Sequence, residues 1–343
     1  MPRGPTVYDV ATRAGVSIAT VSFTYRQPHR VRQATREAVL AAADALGYVP
    51  SASARGLARG RTGSIGLYSF DYQQESTPAG SAQTDVRHFP LYVDEVQRGV
   101  QLECRRHGYA LMLGAGHSAR HLPDVIDVAG RVDGLIAFAG SAPPEAIAQV
   151  AKRIPVVELG GATGPDAHTV LVDNHTGMRE LTDHLVRDHG FRRLVFIGQQ
   201  GLPEFRARYD AFAAGLAAAG LAAPDPVPSH PTDDASTIAA VRRHLAGALP
   251  DAFVCSTDQE ALVAMDTLTA AGIGVPDRVA VTGFDGTVAG RIAEPRLTTV
   301  RQPMEAVGRA AVRILASRLE GSAPDAHHAP LAAPFVPGAS CGC

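Results

Sequence analysis

The 343-residue sequence predicts a small all-α head joined by a linker to an α/β body of two parallel-sheet lobes. Three observations carry that prediction. Residues 5–50 show a helical period, with two short amphipathic runs separated by a glycine turn. Residues 51–62 are small, polar and basic, as a linker is. From residue 63 to 343, short continuous apolar runs alternate with amphipathic stretches, the pattern of buried parallel strands joined by crossover helices.

Composition sets the outer bounds. Hydrophobic residues make up 45% and charged residues 19%, which excludes a disordered chain. No apolar run approaches the roughly 18–20 residues of a membrane span. Met1-Pro2-Arg3-Gly4-Pro5-Thr6 lacks a signal peptide's apolar stretch, so a cytoplasmic location is expected. Four cysteines are too few for a disulfide scaffold. Cys104 and Cys255 read as buried thiols, and Cys341 and Cys343 as part of a tail. Residues 1–63 hold nine arginines, no lysine and three acids (Asp9, Glu37, Asp44), a net charge of +6, while the remainder nets −8. A basic head on a mildly acidic body points the head alone at a polyanion.

In the head, Thr6-Val7-Tyr8-Asp9 has the form of a capping box, with Val7, Val10, Ala11 and Ala14 on one helical face. Gly15 suits the left-handed turn that ends this helix. Val16 anchors the turn, and Ser17 caps a second helix from Ile18 to about Tyr25, with Val21 inward and Ser17, Thr20 and Ser22 toward the exposed side. Two short helices so joined make a helix-turn-helix, whose second helix enters a major groove. A third helix from about Arg32 to Leu46 completes the core with Val39, Leu40, Ala43 and Leu46, and Gly47 closes it. The segment Pro50 to Thr62 has one large apolar residue, Leu57. It reads either as a flexible linker or as a weak helix that orders on DNA, with Leu57 a minor-groove wedge.

Thr6-Val-Tyr-Asp-Val-Ala-Thr-Arg-Ala-Gly-Val-Ser-Ile-Ala-Thr-Val-Ser22, then Thr35-Arg36-Glu37, Leu46-Gly-Tyr-Val-Pro50 and Ala54-Arg-Gly-Leu-Ala58 resemble, without a gap, the head and hinge of the LacI/GalR family of bacterial transcriptional regulators. The resemblance implies a homodimer on double-stranded operator DNA, with recognition helices in adjacent major grooves and paired hinge helices that place Ala54 and Leu57 at a central kink. It also implies phosphate contacts from Thr6, Ser17, Thr20, Ser22 and Arg30. Base reading would fall to Ile18, Ala19 and Phe23. The family's usual arginine after Val-Ser is here Phe23, and its usual asparagine three positions on is Arg26. Apolar readers can touch a thymine methyl but form no bidentate hydrogen bonds. The operator is then T-rich at those positions, or specificity rests on DNA shape and the central kink.

In the body, strands are expected at Ser64–Ser69, Tyr109–Leu113, Gly134–Phe138, Pro155–Glu158, Thr169–Val172, Leu194–Ile197, Ala252–Cys255 and Val279–Gly283. Helices are expected at 91–107, 143–152, 177–189, 205–219, 234–247, 258–271 and 303–319. Two open lobes of this kind bind ligands at the carboxyl ends of their strands. Val172-Asp173-Asn174-x-x-Gly177, Arg208-x-x-Ala-Phe212, Thr257-Asp258-x-x-Ala261, Gly283-Phe284-Asp285 and Leu297-Thr-Thr-Val-x-Gln-Pro303 resemble the same family's periplasmic-binding-protein-like effector domain. By that resemblance the effector residues are Phe70, Tyr92, Arg208, Thr257, Asp285 and Gln302. Arg208 would grip vicinal hydroxyls or a carboxylate, and Asp285 would accept from sugar hydroxyls. Phe70 and Tyr92 would stack on a sugar ring. Residues 71–88 are longer and more polar than the family pattern, and the chain after Pro330 departs from it.

Enzyme chemistry finds little support. Gly114-Ala-Gly116-His-Ser-Ala119 has the spacing of a dinucleotide fingerprint, but Pro123 is expected to interrupt the helix that should follow. No nucleophile elbow or P-loop occurs. His175, His184, His189, His327 and His328 show no spacing such as H-E-x-x-H, so neither metal nor cofactor is expected. The expectation is a ligand-responsive, sequence-specific DNA-binding regulator, a repressor controlled by a sugar or related metabolite. The alternative is a sugar-binding protein without a DNA function, which the head argues against. A sugar-processing enzyme would need a catalytic constellation the sequence does not offer.

Overall fold

The computed structural model describes residues 4–50, 60–70, 91–116, 122–161, 168–231, 233–322 and 329–343. They fall into two compact units that meet in sequence at Thr62 and Gly63. Residues 51–59, including Ala54 and Leu57, lie outside the described residues, as do 71–90, His327 and His328.

The head consists of α1 (Val7–Ala14), α2 (Ile18–Arg26) and α3 (Gln33–Leu46). The capping box forms: the Thr6 backbone N–H donates to Asp9 Oδ2 at 2.7 Å. Gly15 and Gly47 close α1 and α3 at φ of +64° and +65°, a backbone region in which only glycine rests without strain. Ser17 caps α2, accepting from the Thr20 backbone N–H at 3.2 Å. Val10, Ala11, Val21, Val39, Ala42 and Ala43 are the buried core. The expectation for Leu40 is corrected: it is 44% exposed. Along α3 the inward line runs through Val39, Ala42 and Ala43, and Leu40 lies about 100° round from Val39.

The body has two parallel sheets. The first runs β2 (Ala110–Gly116), β1 (Ser64–Phe70), β3 (Gly134–Phe138), β4 (Val156–Leu159), β5 (His168–Val170). The second runs β6 (Leu194–Ile197), β7 (Ala252–Cys255), β8 (Ala280–Thr282). Helices α4 (Leu91–His107), α5 (Leu122–Ala129) and α6 (Pro144–Ala151) connect strands of the first lobe. The second lobe carries α7 (Asn174–Arg187), α8 (Pro203–Ala218), α9 (Asp234–Arg242), α10 (Asp258–Ala270) and the short α11 (Val288–Ile292). Then β9 (Thr299–Val300) leads into α12 (Met304–Leu319), which packs back on α4 in the first lobe. Gly99 and Gly308 make that packing possible: a Cβ on either would sit within 2.3 Å of a backbone oxygen on the other helix.

Most expected elements stand within a few residues of their sequence bounds. The helix after Gly116 is a correction: α5 forms, and Pro123 occupies its first turn, where the missing N–H costs nothing. The expected helix 234–247 ends at Arg242. The C-terminal segment is also corrected. It is built into the lobe rather than a free tail: β10 (Phe335–Val336) pairs antiparallel with β9, and Cys341 is 1% exposed.

Candidate functional site

All six residues expected to meet an effector line one cavity of about 90 Å³ at the carboxyl ends of both sheets. Phe70 ends β1, and Tyr92 stands in the first turn of α4 with its ring edge-on to Phe138, 5.9 Å between centroids. Thr257 follows β7, Asp285 follows β8, and Gln302 lies between β9 and α12. A second recess of about 330 Å³ shares Tyr92, Glu204, Arg208 and Gln302 with this cavity.

Arg208 is 4% exposed. Its Nε donates to Asn174 Oδ1 at 2.9 Å and its Nη1 to the Ser256 carbonyl at 2.7 Å. Its guanidinium lies 3.9 Å from the Phe284 ring centroid and 5.0 Å from that of Phe205. The fork is thus fixed in plane, and Nη2 has no protein partner among the described residues. Asp285 Oδ1 lies 3.7 Å from Arg208 Nη1 and accepts Gln302 Nε2 at 2.6 Å. Burial pushes the Asp285 carboxyl up to about 8, against the pull of Arg208 and with a push from Asp258. Its φ of +138° is a left-handed strain rarely held by a non-glycine residue.

A buried frame holds that strained loop. Asp258 Oδ2 accepts the Thr287 backbone N–H at 2.7 Å and its hydroxyl at 2.9 Å, and Oδ1 accepts Thr299 Oγ1 at 2.5 Å. Thr257 lines the cavity, but its hydroxyl caps α10, accepting from the Glu260 N–H at 3.2 Å and donating to Glu260 Oε2 at 3.0 Å. It serves the frame first.

Sequence reading missed Glu204 and Asn174 as parts of this site. Glu204 is only partly buried as a residue, yet its Oε2 is sealed from solvent without a hydrogen-bond partner among the described residues. Burial pushes its carboxyl up to about 7, with Arg208 pulling the other way. A Cβ on Gly160, at φ +90°, would overlap this carboxylate. The signal available was spacing: Glu204 stands one helical turn before Arg208.

In the head, Ser17, Ile18, Ala19 and Phe23 are exposed on α2, and Thr20 and Ser22 are half-buried beside them. Ile18 is 39% and Phe23 37% exposed. The Arg30 guanidinium stacks 4.9 Å from the Phe23 ring centroid and donates to Gln27 Oε1 at 2.9 Å. Thr6 is half-buried at the start of α1.

Residues 6–51 match the model of bacterial regulatory proteins of the lacI family, and residues 182–341 match a periplasmic binding protein-like domain. The chain is 31% identical to the HTH-type transcriptional repressor PurR of Haemophilus influenzae, over 92% of this chain and 91% of that one. It is 31% identical to the HTH-type transcriptional regulator CelR of Thermobifida fusca, over 93% of each. A solved complex of the transcriptional regulator CelR with cellobiose superposes with a TM-score of 0.69 at 29% identity, covering 98% of this chain and 99% of that one. The relatives are regulators, not enzymes. The chain belongs to the lacI family of bacterial regulatory proteins, and it is a ligand-responsive DNA-binding transcriptional regulator.

Proposed function

We propose that the protein is a homodimeric, cytoplasmic repressor whose affinity for operator DNA is set by a sugar or related polyol in the cleft. The observation that supports this best is the convergence of Phe70, Tyr92, Arg208, Asp285 and Gln302 on one cavity between two lobes.

The chemistry of the lining favours hydroxyl groups over a phosphate. Arg208 is the one arginine among the described lining residues, and no lysine joins it. Burial favours the protonated form of the Asp285 carboxyl, against the pull of Arg208. That form can donate from one oxygen to a sugar hydroxyl while the other accepts from Gln302. Arg208 Nη2 supplies a donor for a neighbouring hydroxyl, and Phe70 and Tyr92 offer apolar faces to the ring. Similarity to a cellobiose-bound regulator supports the same ligand class.

Ligand bound between the lobes favours the closed arrangement, and the closed and open states differ in DNA affinity. The ligand acts only through that difference, typically ~1–3 kcal/mol, a 5- to 150-fold change. At the operator, Ile18, Ala19 and Phe23 supply apolar contacts suited to thymine methyls. Thr6, Ser17, Thr20, Ser22 and Arg30 supply phosphate contacts, and the Arg30–Phe23 stack ties a phosphate-binding cation to a base-reading ring. Ala54 and Leu57 are assigned to the central kink by family resemblance alone.

The test is a mobility shift of the purified protein on fragments of its own upstream DNA, with salt varied and a panel of sugars added. The expected result is a specific complex that weakens steeply with salt and responds to one sugar. A complex that responds only to purines or phosphorylated metabolites overturns the ligand class and keeps the regulator. No specific complex at any salt would count against the head as a reader of DNA.

A further inference from the structure

Far from the effector cleft, four donor atoms converge at the end of the second lobe. His184 lies in the last turn of α7, His189 just after it, and Cys341 and Cys343 lie at the end of the C-terminal segment. Their ligating atoms all lie within 4.8 Å of one another. His184 Nε2 is 3.0 Å from His189 Nε2, 3.2 Å from Cys343 Sγ and 3.6 Å from Cys341 Sγ. Cys343 Sγ is 3.5 Å from both His189 Nε2 and Cys341 Sγ.

Hydrogen bonding accounts for only part of this cluster: Cys341 Sγ lies 3.3 Å from the Gly338 carbonyl, to which it can donate. His184 Nδ1 lies 2.7 Å from Asp188 Oδ2, a carboxylate that takes the ring's proton on that side. Nε2 is then a single lone pair, yet three atoms crowd it. A cation at the centre satisfies all four. With Zn–S of about 2.3 Å and Zn–N of about 2.0–2.1 Å, a tetrahedron has edges of about 3.3 Å (N–N), 3.6 Å (N–S) and 3.8 Å (S–S). Five of the six edges depart from these by at most a few tenths of an ångström, and the sixth, His189 Nε2 to Cys341 Sγ, is within 4.8 Å.

The surroundings are those of a metal centre. Asp188 orients His184 as a carboxylate orients a zinc-bound imidazole. His189 stacks on Phe191, 5.1 Å between centroids. Gly342, at φ +100°, turns the chain between the two cysteines so that both thiols reach one point. The histidine pair has the H-x4-H spacing of known zinc sites; the short Cys341-Gly342-Cys343 pair, more than 150 residues away, hid it in the sequence.

We propose that His184, His189, Cys341 and Cys343 bind Zn²⁺ as a tetrahedral structural site, the cation this sulfur and nitrogen set selects. The site clamps residues 339–343 to α7. That segment follows β10, which pairs with β9 immediately before Gln302. Metal therefore braces the strand behind the effector site without touching the effector.

Three measurements on the full chain, purified under reducing conditions with any affinity tag removed, test this. Elemental analysis should find one zinc per chain in the wild type and loss of it in Cys343→Ser, an exposed position, with the fold of the variant checked by circular dichroism. Cobalt(II) should give the intense visible bands and thiolate charge transfer of a tetrahedral site, absent from the same variant. Asp188→Asn should weaken zinc affinity about 10- to 100-fold. Equal zinc in wild type and Cys343→Ser, cobalt spectra without thiolate bands, or a Cys341–Cys343 disulfide in place of bound metal would each overturn the proposal. None of these readouts depends on DNA or sugar binding.

Discussion

The first lobe gives the cleft Phe70, Tyr92, Phe138 and Leu159, whereas the second gives Arg208, Asp285, Gln302, Thr257 and Glu204. One wall is apolar and offers area. The other is polar and nearly every group on it is already held by protein: Arg208 by Asn174 and Ser256, Asp285 by Gln302. A preorganised polar wall gives selectivity, because an ill-matched ligand leaves buried donors unpaired. An apolar wall adds affinity when the lobes close and water leaves. On the proposed function, the difference assigns recognition to the second lobe and closure to the first.

The polar wall should be the more sensitive. Arg208→Ala removes a buried, hydrogen-bonded charge and orphans both Asn174 and the Ser256 carbonyl. Such truncations cost about 2–5 kcal/mol, so effector affinity should fall at least about 30-fold by titration calorimetry, with DNA affinity in the absence of effector retained. Unchanged effector affinity would move recognition to the other wall. Tyr92→Ala should cost less, about tenfold, since an aromatic contact contributes about 0.5–1.5 kcal/mol beyond its area. Tyr92→Phe should be nearly neutral if stacking is what the ring supplies. A larger loss for Tyr92→Phe than for Arg208→Ala would reverse the assignment.

How much of this could be read from residues alone differs by scale. The alternation of apolar runs gave both sheets because β3, β4 and β7 are buried on both faces and β6 nearly so. Element ends were less certain where a local signal misled, as at Pro123, or where propensity carried a helix past its last buried contact, as after Arg242. The residues proposed to meet the effector came from motifs that sit at strand ends, where topology brings them together. Glu204 carried no motif; its role arises from Gly160 making room for it across the cleft. The Cys341–Cys343 cluster was invisible for the same reason, since only folding places the C-terminal segment beside α7. Contacts between elements distant in sequence are what a single chain read in order cannot supply.

Glu204 also separates the two walls by pH. Burial raises its carboxyl from the ordinary range of about 4.5 to about 7 in the folded protein. The folded state therefore holds a proton that the unfolded chain releases, and stability falls as pH rises through that window; below about 4.5 both states are protonated and no penalty exists. Glu204→Gln removes the titration while keeping the shape. At pH 5 its melting temperature should lie close to the wild type. At pH 8 it should be higher, by an amount equivalent to about 1–3 kcal/mol. Asp285 titrates in the same direction in both proteins, so its contribution cancels in the difference. Parallel stability curves from pH 5 to 8 would mean that Glu204 is ionised in the folded state. The Glu204 carboxylate would then offset the Arg208 charge, and the polar wall would attract an anionic ligand group less than it does with Glu204 protonated.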